Sequence, residues 1–195
     1  MAHSGALPKL TLDTNCIIAV EEHRPSEKSI LSLRRLHDVG IVQLRLVAAS
    51  ASERQVRGQQ VQNFNDWAAR VSKLGFGGLE ILKPIMIYGV GFYGQGVYGG
   101  GAASELYDAI GTAIFRSWFP ARVERPPSAN KICDVLMMWA HIWYQGDCFV
   151  TTDVDDFLRE TTFLKLIKLG ARSILTPEDA EQRFKATKQA SVPAS

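Results

Sequence analysis

LTLDTN at residues 10–15 and CFVTTD at residues 148–153 are short apolar segments that each stop at a carboxylate. Short apolar runs bounded by polar residues are typical of buried strands. In a parallel α/β sheet the carboxyl ends of the strands meet along one edge, and ligands bind in the crevice there. The two segments therefore predict a parallel sheet that brings Asp13 and Asp153 to one crevice.

Strand-like and helix-like segments alternate along the rest of the chain. Apolar runs predict strands at 9–13, 41–48, 148–152 and 172–175. Apolar periodicity predicts helices at 15–22, 26–39, 50–73, 104–118, 130–144, 154–169 and from 177 onward, with Asn130 as the cap of the fifth. This alternation is typical of a parallel sheet with helical crossovers. The length of 195 residues predicts a single domain over 1–188, followed by a frayed tail at 189–195.

Composition excludes several classes of protein. The chain is 46% hydrophobic and 22% charged, as in an average globular protein, and no apolar run approaches the roughly 20 residues of a membrane span. Its N-terminus lacks the pattern of a signal peptide, so we expect a cytoplasmic protein without a membrane partner. The net charge of +2 is too small to hold nucleic acid by bulk charge, so such a contact needs a local patch or a metal. Three widely spaced cysteines predict buried side chains rather than disulfides or a zinc site.

A glycine- and aromatic-rich insertion is expected at 75–101. It holds ten of the sixteen glycines, interleaved with Phe76, Tyr88, Phe92, Tyr93 and Tyr98. The glycines lack the spacing of a phosphate-binding loop, and no Lys-Ser or Lys-Thr pair follows them. Two interpretations are left open: a loop whose aromatic side chains pack on the domain or a partner, and a surface on which unpaired bases stack.

Four acids are expected at the same edge of the sheet: Asp13, Glu53, Asp134 and Asp153. Singly, each has a structural explanation, because Ser50 to Glu53 matches a capping box and aspartates favour helix N-termini. Together, four close carboxylates repel strongly unless a cation neutralises them. Oxygen ligands suit magnesium (Mg²⁺) or manganese (Mn²⁺). No histidine has a ligand-like spacing, so zinc hydrolysis and a Ser-His-Asp triad are poorly supported.

The order of these motifs resembles that of the PIN domain family. The resemblance covers roughly residues 9–60 and 128–184, and its residues are Leu12 to Asn15, Glu53, Asp134 with Ala140, Phe149 to Asp153, Asp156-Phe157 and Ile174 to Glu178. It implies a three-layer α/β/α sandwich around a parallel sheet. It also implies a Mg²⁺- or Mn²⁺-dependent endoribonuclease that cleaves single-stranded or structured RNA through a metal-activated water.

The resemblance assigns roles residue by residue. Asp13, Glu53, Asp134 and Asp153 become the metal-binding and catalytic set. Asn15 and Thr152 match polar positions that shape the site, with Asp156 in support; the register of Asp155 against Asp156 is left open, since the family often has one residue between its last two acids. Separately, Arg54 and Arg57 lie on the predicted helix of Glu53, where they would hold the RNA backbone or simply form a solvated face.

Several alternatives stay open at this stage. The fold could bind RNA or a protein without cutting, or, less favoured because no lysine is well placed, accept a phosphoryl group on an aspartate. Many bacterial PIN proteins are toxins held by a small antitoxin, so an antitoxin partner is a hypothesis, and a homodimer is another.

Overall fold

The computed structural model describes residues 6–52, 63–87, 90, 92, 94–115, 118 and 127–190. Within these residues, five parallel strands form one sheet in the order β3-β2-β1-β4-β5. The strands are β1 (Lys9–Leu12), β2 (Gln43–Val47), β3 (Glu80–Leu82), β4 (Cys148–Val150) and β5 (Ile174–Leu175). The central position of β1 explains its apolar sequence, because a strand covered on both faces has little use for polar side chains.

Among the described residues, seven α-helices connect and follow the strands. They are α1 (Thr14–Glu21), α2 (Glu27–Asp38), α3 (Phe64–Val71), α4 (Ala102–Ile114), α5 (Ala129–Trp143), α6 (Glu160–Lys168) and α7 (Pro177–Ala190). Three short turns complete the described elements: a 3₁₀ turn at Ala48–Ala51 and π-helical turns at Ser72–Phe76 and Val154–Leu158.

Helices cover both faces of the sheet, and each face has its own hydrophobic cluster. Leu10, Leu12 and Val150 face the cluster built with α1, α2, α3 and α7. Phe149 faces the cluster built with α4, α5 and α6. The alternation of side chains along each strand divides the residues between the two faces. The architecture is therefore α/β with a parallel sheet between helices, as the alternating sequence predicts.

The winding of the chain reverses between β1 and β4. From β1 the chain moves outward through β2 to β3 along one half of the sheet, and it then returns to β4 and β5 on the other half. The helix after β1 packs on one face, whereas the helix after β4 packs on the opposite face. Such a switch point leaves a crevice at the carboxyl ends of the two adjacent strands. Asp13 follows β1 directly, and Asp153 lies three residues beyond the end of β4.

Several predicted boundaries differ from the structure. Strand β3 lies inside the segment expected as an insertion and forms the edge of the sheet, and Phe76 from the same segment is buried in the core. Strand β3 is only three residues long and begins with the charged Glu80, so its sequence shows little preference for a strand. Tyr98, in contrast, is 94% exposed. The helix expected at 104–118 runs from Ala102 to Ile114 and ends before an extended Phe115.

The cap of α5 is Ser128 rather than Asn130. The Ser128 side chain accepts a hydrogen bond from the Lys131 backbone nitrogen, and Asn130 lies within the helix. Serine and asparagine cap about equally well, so the sequence could not choose between them. The helix expected at 50–73 is described only as the 3₁₀ turn to Ala51 and as α3 with the π-helical turn after it.

A buried polar cluster, which we call the mid-sheet cluster, consists of Arg45, Thr11 and His141. Arg45 on β2 donates to the Tyr144 carbonyl oxygen at the end of α5 (3.1 Å) and to Thr11 Oγ1 (3.3 Å). His141 Nδ1 lies 3.1 Å from the same hydroxyl. Burial and the charge of Arg45 lower the pKa of His141 to about 3, so the imidazole is neutral. The cluster ties α5 to β1 and β2.

The three cysteines are buried and unpaired by disulfides, as predicted. Among the described residues, no helix combines the length and the apolar character that a membrane crossing requires.

Candidate metal site at the switch point

Asp13 is the most enclosed acid of the crevice. Its side chain is completely buried at the end of β1, and its backbone nitrogen donates to the Val150 carbonyl oxygen (2.9 Å). Oδ2 accepts a hydrogen bond from Thr151 Oγ1 (2.6 Å) and lies 3.5 Å from Asn15 Nδ2. Oδ1 is buried and has no hydrogen-bond partner. Asp13 stands at the N-cap position of α1 without a side-chain capping hydrogen bond, although the backbone amides of Thr14 and Asn15 at the start of that helix favour its ionised form and lower its pKa.

The surroundings of Asp13 disfavour the negative charge of its carboxylate. Burial, and to a smaller extent the negative charge of Asp153, raise its pKa to about 6. The Thr151 hydroxyl acts in the opposite direction, because a hydrogen bond to the carboxylate favours the ionised form. A buried anion with an unpartnered oxygen is unfavourable in isolation, and a cation beside it would remove the penalty.

Thr151 joins Asp13 to Asp153. Its hydroxyl donates to Asp13 and accepts a hydrogen bond from the Asp153 backbone nitrogen (2.9 Å). Asp153 Oδ1 in turn accepts from the Asp156 backbone nitrogen (2.9 Å), which caps the π-helical turn at Val154–Leu158. One carboxylate oxygen of Asp153 is thus used in capping. The chain places the two acids around one threonine, on the two strands that flank the switch point.

Asp134 lies in the second turn of α5 and is 8% exposed. One turn later on the same helix, Met137 Sδ accepts a hydrogen bond from Thr14 Oγ1 (3.1 Å) and lies 3.7 Å from Ser50 Oγ. These contacts bring the first half of α5 to the ends of β1 and β2. The structure therefore places Asp134 on the same edge as Asp13 and Asp153.

Three predicted site residues lie outside the described residues: Glu53, Arg54 and Arg57. Of the predicted supporting residues, Asn15 lies beside Asp13, and the Asp156 backbone nitrogen donates to the capping side chain of Asp153. Thr152 is partly exposed, and the hydroxyl that contacts Asp13 belongs to its neighbour Thr151.

Within the described part of the chain, no three His, Cys, Asp or Glu side chains are grouped so that they could hold a metal ion. Asp13, Asp134 and Asp153 all lie in that part and do not by themselves form such a group, whereas Glu53 lies outside it. The donors that are present suit a hard divalent cation, because they are carboxylate oxygens and one of them is buried without a partner. The residues of the crevice therefore match the chemistry of Mg²⁺ or Mn²⁺.

Sequence reasoning missed three residues at this edge. Thr151 belongs to a run of residues that predicts a strand, so it was assigned no role of its own at the site. A hydroxyl two residues before an acid at the end of a strand is a pattern that could have identified it. Lys131 and Arg159 both lower the pKa of Asp156, which burial and the charge of Asp153 raise. Each lies three residues from a predicted site acid, and a search for cations at helical spacing from the acids would have found them.

The fold and the site define an α/β protein with an acidic crevice at the switch point of a five-stranded parallel sheet. Comparisons with family models, with curated proteins and with solved structures found no match to this chain. The PIN resemblance is therefore a hypothesis that rests on the residues of the chain itself.

Proposed function

We propose that this protein is a PIN-like endoribonuclease that depends on Mg²⁺ or Mn²⁺. The observation that carries the proposal is the buried, unpartnered Oδ1 of Asp13 at the switch point. A purely structural aspartate at this place would complete its hydrogen bonds within the fold, as the capping oxygen of Asp153 does. The all-parallel sheet and the placement of Asp134 and Asp153 on the same edge support the same conclusion.

The residues that would hold the cation follow from the hydrogen bonds. Thr151 engages Oδ2 of Asp13 and so leaves Oδ1 as the donor atom. Asp153 would contribute its second oxygen, because the first accepts from the Asp156 nitrogen. Asp134 is expected to contribute from α5 and Glu53 from the segment after β2. A pKa of about 6 leaves Asp13 mostly ionised at neutral pH, which is the form that binds a cation.

When bound, the cation supplies Lewis-acid stabilisation of the charge on the phosphoryl oxygens and lowers the pKa of the attacking water. The contribution of the protein is to place the acids before substrate arrives. Thr151 holds the Asp13 carboxylate in one orientation and favours its ionised form. The tight turn at 154–158 fixes Asp153 through its cap. Positioning of this kind removes reorganisation from the chemical step.

Cleavage of single-stranded RNA in the presence of Mn²⁺ tests the proposal. We expect the wild type to cut and Asp13→Asn and Asp153→Asn to lose activity, since each substitution removes a carboxylate oxygen with little change in shape. Asp38→Asn removes an exposed acid of α2 and serves as the matched control. Activity that survives both site substitutions, or that persists in EDTA, would overturn the proposal.

RNA binding without metal-dependent turnover would favour the binding module over the nuclease. Toxin biology is a narrower hypothesis within the nuclease proposal. It predicts a short neighbouring reading frame that encodes an antitoxin, and co-purification of that product with this chain would support it.

A further inference from the structure

Two exposed cations accompany the acids of the crevice. Lys131 precedes Asp134 by three residues on α5, so the two side chains share a helix face. Arg159 follows Asp156 by three residues and occupies the N-cap position of α6. Both are exposed, and the ion pairs found among the described residues involve neither of them. Their positive charges are therefore available to a partner from solution.

An aromatic ring holds the Lys131 ammonium in place. Its Nζ lies 5.0 Å from the centroid of the Phe115 ring, within the range of a cation–π interaction. Phe115 is buried and stacks against Trp118 at 6.1 Å, so the ring belongs to the core. A ring attracts the ammonium without neutralising it, whereas a carboxylate would cancel the charge. Lys131 is thus a positioned cation with its charge intact.

Both cations lie beside the acids in the fold. Lys131 precedes Asp134 in the part of α5 that Met137 joins to the Thr14 hydroxyl, and Arg159 directly follows the turn at Val154–Leu158 whose cap is Asp153. The two residues therefore flank the crevice on two sides that are distant in sequence, α5 and the turn after β4. Glu160 and Asp155, the acids adjacent in sequence, are exposed to solvent and screened.

We propose that Lys131 and Arg159 bind the backbone phosphates of single-stranded RNA beside the acidic crevice, an inference that rests on the proposed nuclease function. A polyanion approaching a cluster of carboxylates is repelled, and a net charge of +2 supplies no bulk attraction to offset the repulsion. Local cations next to the acids provide the attraction where the scissile strand must lie. Phosphate contacts of this kind position the strand and carry no base preference.

Salt-dependent binding tests the inference separately from cleavage. A fluorescein-labelled single-stranded RNA is titrated with the Asp13→Asn protein in EDTA, so that cutting does not interfere, over a range of KCl concentrations. Each lost contact with a phosphate of a single strand makes the negative slope of log K against log[salt] less steep by about 0.7. At 0.1 M KCl this change corresponds to a Kd about fivefold higher. We expect this loss for Lys131→Ala and for Arg159→Ala in that background, and about twice the change in slope for the double substitution.

Matched variants separate a phosphate contact from a general charge effect. Lys168→Ala removes an exposed lysine at the opposite end of α6 and should leave the slope unchanged. Lys131→Arg should retain it, and a DNA strand of the same sequence should lose affinity in parallel with RNA. Unchanged slopes for both site variants, an equal loss for Lys168→Ala, or absence of RNA binding would overturn the inference. If the slopes fall as expected but the wild type does not cleave with Mn²⁺, the phosphate contacts stand and the nuclease proposal falls.

Discussion

Two buried polar clusters lie on the same face of β1, two residues apart, and they differ in what surrounds them. The mid-sheet cluster joins Arg45 and His141 through Thr11, and the crevice joins Asp13 to Asp153 through Thr151. Both contain unpartnered atoms: Nε of Arg45 and Nε2 of His141 in the first, Oδ1 of Asp13 in the second.

The mid-sheet cluster is closed. A Cβ atom at Gly146 would lie 2.2 Å from His141 Nδ1 and 2.9 Å from Arg45 Nη2, so the loop after α5 packs directly on it. The crevice, in contrast, lies where two neighbouring strands send their helices to opposite faces, and Thr151 links Asp13 there to the partly exposed Asp153. Asp13 is as fully buried as His141, so the two clusters differ in their position in the sheet and not in the exposure of these side chains. We interpret the unpartnered atoms under α5 as a consequence of packing and the unpartnered oxygen at the switch point as part of the proposed cation site.

The largest expected effect breaks the bridge within the crevice. Thr151→Val removes the hydroxyl that holds Asp13 and keeps the shape of the side chain. Loss of a group that orients a metal ligand typically lowers affinity or activity by about 10–100-fold. We expect that loss in Mn²⁺-dependent cleavage, with recovery in Thr151→Ser. Wild-type activity in Thr151→Val would show that the hydroxyl only fills space.

A smaller effect is expected when the mid-sheet cluster is overpacked. Gly146→Ala inserts a methyl group against two buried side chains, and overpacking of this kind destabilises by about 2 kcal/mol. Urea unfolding measures the loss. Gly100→Ala is the matched control, because a Cβ there meets nothing within 4 Å, and its stability should be unchanged or slightly higher.

Metal binding distinguishes the two clusters in the same variants. Gly146→Ala should still show a rise in melting temperature with millimolar Mn²⁺, because the proposed cation site lies at the crevice and not in the mid-sheet cluster. A loss of the metal-induced shift in Gly146→Ala would mean that the two clusters are not independent.

The smallest effect is expected in the pH dependence of stability in EDTA. The contributions of His141 and Asp13 to stability change in opposite directions as the pH falls. The pKa of His141 is about 3 in the folded protein and 6.5 in its ordinary state, so between these values the unfolded chain binds more protons. Stability from His141 is therefore lost as the pH falls below 6.5. The pKa of Asp13 is about 6 when folded against an ordinary 3.8, so the folded protein binds more protons in that window and stability is lost as the pH rises through 6.

Between pH 7 and pH 5.5 each contribution amounts to about 1 kcal/mol, and in the wild type the two nearly cancel. Urea unfolding at both pH values separates them. Asp13→Asn should lose about 1 kcal/mol on acidification, and His141→Gln should gain about as much. An identical pH dependence in all three proteins would contradict the assignment of these shifts to burial.

The sequence predicts the parts of the structure that depend on local pattern. The segments around Asp13 and Asp153 have the apolar-then-acidic form of strands that end at a ligand edge, and both are central strands of a parallel sheet. The periodicity of the helices places α2, α5 and α7 within a few residues of their observed bounds. These features repeat at short range, so composition and spacing are enough to detect them.

The parts that depend on tertiary packing could not be predicted. The short edge strand β3 forms because β2 pairs with it through backbone hydrogen bonds, and not because of its own sequence. Arg45 sits in the middle of an otherwise apolar strand, and no local pattern shows that the end of α5 supplies its carbonyl partner. The choice of Thr151 rather than Thr152 beside Asp13 depends on the alternation of faces along β4, which a shift of one residue inverts.

Direct titration tests whether Asp13 binds Mn²⁺. Free Mn²⁺ is measured by electron paramagnetic resonance as the ion is added to the wild type, to Asp13→Asn and to Gly146→Ala. We predict saturable binding by the wild type and by Gly146→Ala, and its loss in Asp13→Asn. Equal binding by Asp13→Asn and the wild type would contradict the account.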